Sequence, residues 1–368
     1  MCIGSGGHQQ EVRTINRATP PALLALLGAA GLVASACGGT TGTPATADTV
    51  HQAPVVATPP APPAVFPLTG LPTNGSANAK RPSVAVKIDN VAGSFPQAGL
   101  DQADLVFDTL VEGGLTRLFA VYQSQDASMI GPIRSARPVD ASLLKLLSPN
   151  CGLFAYSGAA AGEIAPTIQA CPASTRIGDD SSSSGAYQVV RSRPSPHQVF
   201  SSTSALYSAG QQTGASWSPP SQVFTYSASP EGGTGSPAAS VYMDMSNFTS
   251  AGWTWSASTG TWLRSQNGGA DVSTSGNRVS ASNVVVLSVP IGHTGIFDAA
   301  HNEDPLVIVT GSGSAWVLRG GQMIQGTWNR PDNSSPLQIS GAAGTITLQP
   351  GVTWVELLPQ PYQPRITP

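Results

Sequence analysis

Ser83-Val84-Ala85-Val86-Lys87-Ile88-Asp89 alternates small or charged residues with β-branched ones, and it predicts a strand that ends at Asp89-Asn90. Two more strands follow at 105–110 and 117–123. They are separated by Val111-Glu112-Gly113-Gly114-Leu115-Thr116, whose glycine pair suits a tight connection. Residues 139–147 carry leucines at helical spacing directly after Pro138, a favoured first-turn residue, and predict a helix. A strand at 152–157 comes next, then a second helix at 159–170 that Pro166 is expected to kink or shorten. Strands alternating with helices make residues 66–222 an α/β or α+β domain.

From about Val223 helical periodicity disappears. Short strands between Gly, Asn and Pro turns are read at 241–245, 262–265, 284–289, 306–309, 315–318, 322–328, 345–348 and 353–357. This spacing predicts a mainly β domain over 223–359, followed by a tail at 360–368. Every tryptophan except Trp217 lies in this second part, and most are expected in its core. The Asp-, Ser- and Gly-rich stretch 177–185 reads as a surface loop.

The N-terminus reads as an export signal. Arg13 and Arg17 precede an apolar run over 22–33, and Ala34-Ser35-Ala36 leads into Cys37. That run is too short to span a bilayer comfortably, which takes roughly 20 residues. Ending on cysteine resembles a bacterial lipobox, so residues 1–37 are expected to be a lipoprotein signal peptide with Cys37 as the lipidated residue. The lipid would hold the protein on the outer face of the cytoplasmic membrane. Residues 38–65 are rich in Pro, Thr and Ala and poor in large apolar side chains, the composition of an extended tether.

Charge is scarce: 17 basic and 20 acidic residues among 368, a net charge of −3, with no basic segment. Nucleic acid is therefore excluded as an expected partner, since polyanion binding needs a basic face. Cys2 leaves with the signal and Cys37 takes the lipid, which leaves Cys151 and Cys171 in an oxidising compartment. They are expected to be disulfide-linked, with two buried unpaired thiols as the alternative because sequence does not give their separation. No Cys-x-x-Cys pattern is present.

In so uncharged a chain, Arg117, Arg134 and Arg137 stand out beside Asp89, Glu112 and Asp140. Arginine offers a planar fork of donors that suits carboxylate or phosphate. Arg134 and Arg137 also sit just before a predicted helix N-terminus, where free N–H groups favour an anion. The same cluster serves equally as an ion-pair network tying strand ends to the helix. Asn90, Thr116 and Ser135 belong to these segments and are taken as binding candidates with them. His197, after two prolines, is read as a general base, a metal ligand or a packed histidine beneath the arginines. Ser135, His197 and Asp89 can be drawn as a triad, but no Gly-x-Ser-x-Gly elbow surrounds Ser135. His293, Asp298, His301, Glu303 and Asp304 are metal-ligand types at a spacing that fits no metal pattern, and they are read as a polar turn. No metal or cofactor is expected.

Arg81 to Asn90, Gln97-Ala98-Gly99-Leu100-Asp101-Gln102-Ala103-Asp104, Glu112 to Arg117 and Gly131-Pro132-Ile133-Arg134-Ser135-Ala136-Arg137 together resemble the YerB-like bacterial lipoproteins. This is a domain-of-unknown-function family (DUF 3048) with distinct N- and C-terminal domains. Arg193-Pro194-Ser195-Pro196-His197-Gln198-Val199-Phe200 is similar to the family's Ala-Pro-His-Asn-Leu-Tyr stretch, departing from it at Ser195 and Gln198. The resemblance implies a two-domain fold and a membrane address, and it implies no activity. The residues point first to a non-catalytic envelope lipoprotein that binds an anionic cell-wall or glycan ligand through Arg117, Arg134 and Arg137. An envelope hydrolase using Glu112 or Asp89 with His197 is the alternative. A structural subunit that meets an envelope protein partner is the third.

Overall fold

The computed structural model describes residues 64–178, 185–298 and 300–368. The expected signal peptide with Cys37, nearly all of the expected tether and most of the expected 177–185 loop lie outside the described residues.

The elements of the first domain are β1 (Val84–Asp89), β2 (Leu105–Leu110), β3 (Thr116–Tyr122), α1 (Val139–Leu147), β4 (Leu153–Tyr156), α2 (Ala161–Ala170), β5 (Arg176–Gly178) and α3 (Thr203–Gln212). The second domain contributes β6 (Ser240–Asp244), β7 (Ser250–Ser256), β8 (Thr261–Gln266), β9 (Asn283–Val289), β10 (Ile291–Phe297) and β11 (Glu303–Val307). It continues with β12 (Gly311–Arg319), β13 (Gln322–Arg330), β14 (Gln338–Gly341), β15 (Thr353–Pro359) and β16 (Arg365–Thr367). The first domain is thus mixed and the second almost entirely strands, as expected. Helix α1 has the expected bounds. Helix α2 runs through Pro166 to Ala170 and is not cut short there.

Helix α3 was not expected. Ser202 caps it by accepting from the Ala205 N–H at 3.2 Å, and Leu206, Tyr207, Ala209 and Gly210 are buried along one face. The cap and that spacing were both present in the sequence. Strands β7, β10 and β14 were also missed, and β5 takes in Ile177 and Gly178, which were read as the start of the surface loop and are instead buried beside β4. Residues 360–368, read as a tail, supply β16, which pairs antiparallel with β6.

The two domains are joined through one sheet, in the order β14-β13-β12-β9-β15-β2-β3-β1-β4-β5. Strand β15 is the seam. It pairs parallel with β9 on one side, Asn283 opposite Thr353, and parallel with β2 on the other, Leu105 opposite Thr353. A strand flanked on both sides and covered on both faces should be apolar throughout, and all seven residues of β15 are buried. Glu356 breaks that pattern.

Alternation along β1 sends Val84, Val86 and Ile88 to one face of the sheet and Ala85, Lys87 and Asp89 to the other. The first face packs on Leu206 and Tyr207 of α3 and on a second sheet, β8-β7-β6-β16, through Val241, Met243, Trp253 and Trp262. The opposite face packs on α1, with Leu143, Leu144 and Leu147 against Phe107, Phe119, Phe154, Val355 and Leu357. Trp253, Trp262, Trp316, Trp328 and Trp354 are all buried. Trp253 meets Trp354 edge to face at 5.3 Å, a contact worth about 0.5–1.5 kcal/mol beyond its area. Cys151 and Cys171 form a disulfide with Cα atoms 5.7 Å apart, tying the start of β4 to the end of α2. Closing a 20-residue separation stabilises by about 3 kcal/mol on the chain-entropy account.

A fully buried charge cluster crosses the seam. Arg264 of β8 donates from Nη1 to Asp271 Oδ2 at 2.5 Å, and from Nη2 to Asp108 Oδ2 and Gln266 Oε1, both at 2.7 Å. Its guanidinium stacks 4.7 Å over Trp354, and Nε lies 4.0 Å from Glu356 Oε1. Trp253 Nε1 donates to that same Glu356 oxygen at 2.8 Å. Asp108 and Glu356 are opposite each other in the β2–β15 register. Three carboxylates share one guanidinium, so burial and the neighbouring Asp108 push Glu356 up to about 8, against the pull of Arg264.

A carboxyl held above its ordinary value makes the folded state bind the extra proton. Its stabilisation is complete below the ordinary glutamate range and is lost as pH rises towards about 8. Glu356→Gln keeps an oxygen for Trp253 and removes the titration. Thermal unfolding at pH 5 and pH 8.5 is expected to show a smaller fall in Tm for this variant than for the wild type.

Candidate functional site

The residues singled out from the sequence meet at one end of the sheet, where β1 and β2 finish and β3 begins. Main-chain bonds build the place. The segment Gly131–Arg134 lies against the end of β1, with Asp89 N–H donating to Pro132 O and Arg134 N–H to Lys87 O, both at 2.9 Å. Gly131 is required there. Its φ is +147°, and a Cβ would sit 2.8 Å from the Phe200 ring and 2.9 Å from Val199 O. Gly114, at φ +69°, closes the loop that carries Glu112. The loop bearing His197 is clamped by Arg193, which donates to the carbonyls of Ser94, Phe95 and Pro96.

Arg137 is the centre of the charge network. It donates to Glu112 in a two-pronged pair, Nε to Oε2 at 2.8 Å and Nη2 to Oε1. Its Nη1 lies 3.2 Å from Glu163 Oε2 of α2, and its Nε 3.5 Å from Asp304 Oδ1 of β11. The Arg137 main-chain N–H donates to Asp140 Oδ2 at 2.7 Å. The other Asp140 oxygen takes Lys87 Nζ at 2.7 Å, and Lys87 also donates to Thr109 at 3.1 Å. Burial pulls Lys87 below the ordinary lysine range; Asp140 opposes this, and Arg117 and Arg137 add to it. Burial lifts Asp304 to about 6, with Arg137 holding it down and Glu163 pushing it further up.

Nearer the surface, Asp89 Oδ2 binds His197 Nδ1 at 2.7 Å and lies 3.2 Å from Arg134 Nε. Asp89 Oδ1 is buried without a hydrogen bond. Asn90 donates to Thr116 at 2.8 Å and accepts from Gln97 at 3.1 Å, so both serve to fix the strand end. Arg117 donates to Ser135 O at 3.1 Å and lies 3.7 Å from Glu112, and burial lowers its pKa against the pull of nearby carboxylates. Among the described residues no hydrogen bond joins Ser135 to His197.

The three arginines therefore differ. The side chains of Arg117 and Arg137 are 8% and 4% exposed and bonded within the protein, whereas that of Arg134 is 23% exposed. Among the described residues the Arg134 guanidinium has Asp89 as its ionic partner, through Nε, and both Nη groups carry no hydrogen bond. Sequence reasoning missed Lys87, Thr109, Glu163 and the inward role of Asp304. Lys87 and Glu163 gave a signal: each is a charge at a position that the local pattern makes buried. The turn residues do not converge. His293 pairs with Glu303 at 2.9 Å, Asp298 caps Ala300 and Asn302 N–H groups, and Asp304 points to Arg137.

Models of a family described as proteins of unknown function, DUF3048, match this chain twice, its N-terminal domain at residues 68–216 and its C-terminal domain at 241–355. The chain belongs to this family. It is 34% identical over 148 residues to the Bacillus subtilis (strain 168) protein named "Putative lipoprotein YerB", an alignment covering 40% of this chain and 43% of that protein. The match thus spans less than half of the relative's length. The crystal structure of YerB from Bacillus subtilis has the same fold, with a TM-score of 0.68 at 21% identity over 82% of this chain and 99% of that one. Among the described residues no helix is long and apolar enough to cross a membrane.

Arg137→Lys keeps the charge but cannot make the two-pronged Glu112 pair while also reaching Glu163 and Asp304. Leaving buried carboxylates without their partner is expected to cost about 3–5 kcal/mol, read by urea unfolding at pH 7.

Proposed function

We propose that this protein is a lipid-anchored envelope protein whose sheet end binds an anionic ligand, a carboxylated or otherwise acidic cell-wall glycan, through Arg134. The observation that carries this reading is the Arg134 guanidinium, half-buried with both Nη groups unbonded, over a floor in which every other cation already has a protein partner. Arg117 lies beneath as a second source of positive potential, and Ser135, Thr116 and Asn90 hold the surrounding backbone. Arg137, expected from the sequence as a third ligand-binding arginine, acts here as the brace that sets the floor. A desolvated guanidinium fork meets a carboxylate or phosphate in bidentate fashion.

A second reading, an envelope hydrolase, is favoured by one contact. Asp89 held at 2.7 Å from His197 Nδ1 fixes the ring and leaves Nε2, which lies beside Gly93, as the second ring nitrogen, the arrangement of a positioned general base. Glu112 fits that role less well, because Arg137 and Arg117 both engage it.

The lipid anchor rests on the Cys37 signal and on the similarity to a protein named as a lipoprotein. Cys37→Ala is expected to abolish fatty-acid labelling of the expressed chain, and unchanged labelling would refute the anchor. For the site, Arg134→Lys keeps the charge and loses the fork. Its affinity for an oligogalacturonate probe should fall about 5- to 100-fold, the loss of one charge-assisted contact, while Tm stays within about 1–2 °C of wild type. Calorimetric titration with parallel melting curves separates this from a bracing role, in which Tm would fall as it does for Arg137→Lys.

A further inference from the structure

A second concave surface lies in the C-terminal domain, lined by Tyr242, Asp244, Asn247, Phe248, Thr249 and Asn267 among others, with a volume of about 360 Å³. That size is within the range of small-molecule sites, about 300–1,000 Å³. Its most conspicuous member is Phe248, 74% exposed, the most open of the large apolar side chains among the described residues. An aromatic left in water on a flexible loop would mean little. Phe248 is not so placed.

The turn between β6 and β7 is tied from three directions. Ser246 Oγ accepts from the N–H groups of Phe248 and Thr249 at 2.9 and 3.0 Å, and Met245 N–H donates to Thr249 O at 2.8 Å. The Ser246 and Thr249 hydroxyls both donate to Gly114 O, which pins the turn to the loop that carries Glu112. A backbone so fixed sets the point from which the Phe248 side chain projects into solvent, with the ring edge beside Gly114.

The rim is polar, and its free atoms are of defined kinds. Asn267 has φ +50° in the β8 hairpin turn, and its Oδ1 accepts from Ser250 N–H at 2.8 Å. Its Nδ2 is then left to donate outward. Asn247 Oδ1 accepts from Tyr362 at 3.2 Å, which likewise leaves an amide donor. Asp244 uses Oδ2 on Arg365 at 2.6 Å and keeps Oδ1 as an acceptor. Arg365 also stacks 4.5 Å from the Tyr242 ring centre, covering that aromatic and holding the carboxylate.

This chemistry selects a ligand class. Among the described residues no lysine or arginine is itself in the groove lining, and Arg365 beside it is paired with Asp244 and stacked on Tyr242, so a phosphate or carboxylate meets no unpaired counter-charge there. It is shallow and rimmed by amides, unlike the apolar cavity an acyl chain needs. One exposed aromatic face beside two amide donors and one carboxylate acceptor fits a ring that is apolar on one face and carries hydroxyls around its edge. We propose that the groove between Phe248 and Asn267 is a binding site for a neutral saccharide, with the sugar ring stacked on Phe248 and its hydroxyls bonded by Asn267, Asn247 and Asp244. The groove does not include Arg134, and this proposal stands whether or not an anion binds at the sheet end.

The test is saturation-transfer NMR on the full-length protein, in a detergent without a sugar headgroup, against neutral tetrasaccharides of hexose, pentose and N-acetylhexosamine types. At least one type is expected to bind, with saturation strongest on the ring protons of one face. Phe248→Ala, at a surface position, should melt with the wild type and bind that probe about ten-fold more weakly. Asn267→Asp keeps the turn and the capping oxygen but removes the donor, and should bind several-fold more weakly. Arg134→Lys should leave this affinity unchanged. Absence of signal from every tetrasaccharide with the wild type, or undiminished binding by folded Phe248→Ala, overturns the proposal.

Discussion

Arg264 holds three parts of the chain at one point. Asp108 comes from β2 in the first domain, Glu356 from β15 at the seam, and Arg264 itself from the second sheet, all fully buried. Burial strongly opposes the guanidinium charge, and Asp271, Asp108 and Glu356 together outweigh it. Such a cluster adds little net stability compared with a well-packed apolar core, but removing one partner leaves charge stranded in low dielectric. Its consequence is positional: β15 can insert between β9 and β2 in one register, because a slip by one residue would turn Glu356 away from Arg264 and into the apolar layer under α1.

The site depends on that register at one remove. With β15 fixed beside β2, the ends of β2, β3 and β1 are aligned, and Thr109, Arg117, Lys87 and Asp89 stand at one end of the sheet. A second network, centred on Arg137, then fastens this end to α1, α2 and β11. The two networks lie on opposite faces of the same strands, since Asp108 and Thr109 are neighbours pointing in opposite directions. Rigid bracing below leaves Arg134 and His197 as the groups held near the surface, both against the single carboxylate of Asp89. A charge set of this kind suits recognition by a fixed arrangement of donors more than by an induced one.

Strands β1 to β4 and helix α1 were legible because their apolar period is strong and their turns carry glycine or proline. The arginines and their acidic neighbours were legible as a group because the chain has few charges. Their division of labour was not. Nothing local distinguishes Arg134 from Arg137 three residues on; one faces Asp89 at the opening, and the other reaches Glu163 and Asp304, which come from α2 and from β11 far along the chain. Asp304 itself read as part of a polar turn, since its neighbours Asp298, His301 and Glu303 do face solvent. Helix α3 was missed although Ser202 capped it, because its composition of Ser, Ala, Gly and Gln gives a weak apolar period.

By itself the sequence determined the fold class, the family and the stretch in which charges would gather. These are properties of local pattern and composition, which act over a few residues. Only the tertiary structure decided that the two domains share one sheet through β15, that Cys151 reaches Cys171, and which arginine is buried and which is left open. Those outcomes depend on pairings between residues tens to hundreds of positions apart, and a buried charge declares its role only when its partner is in place.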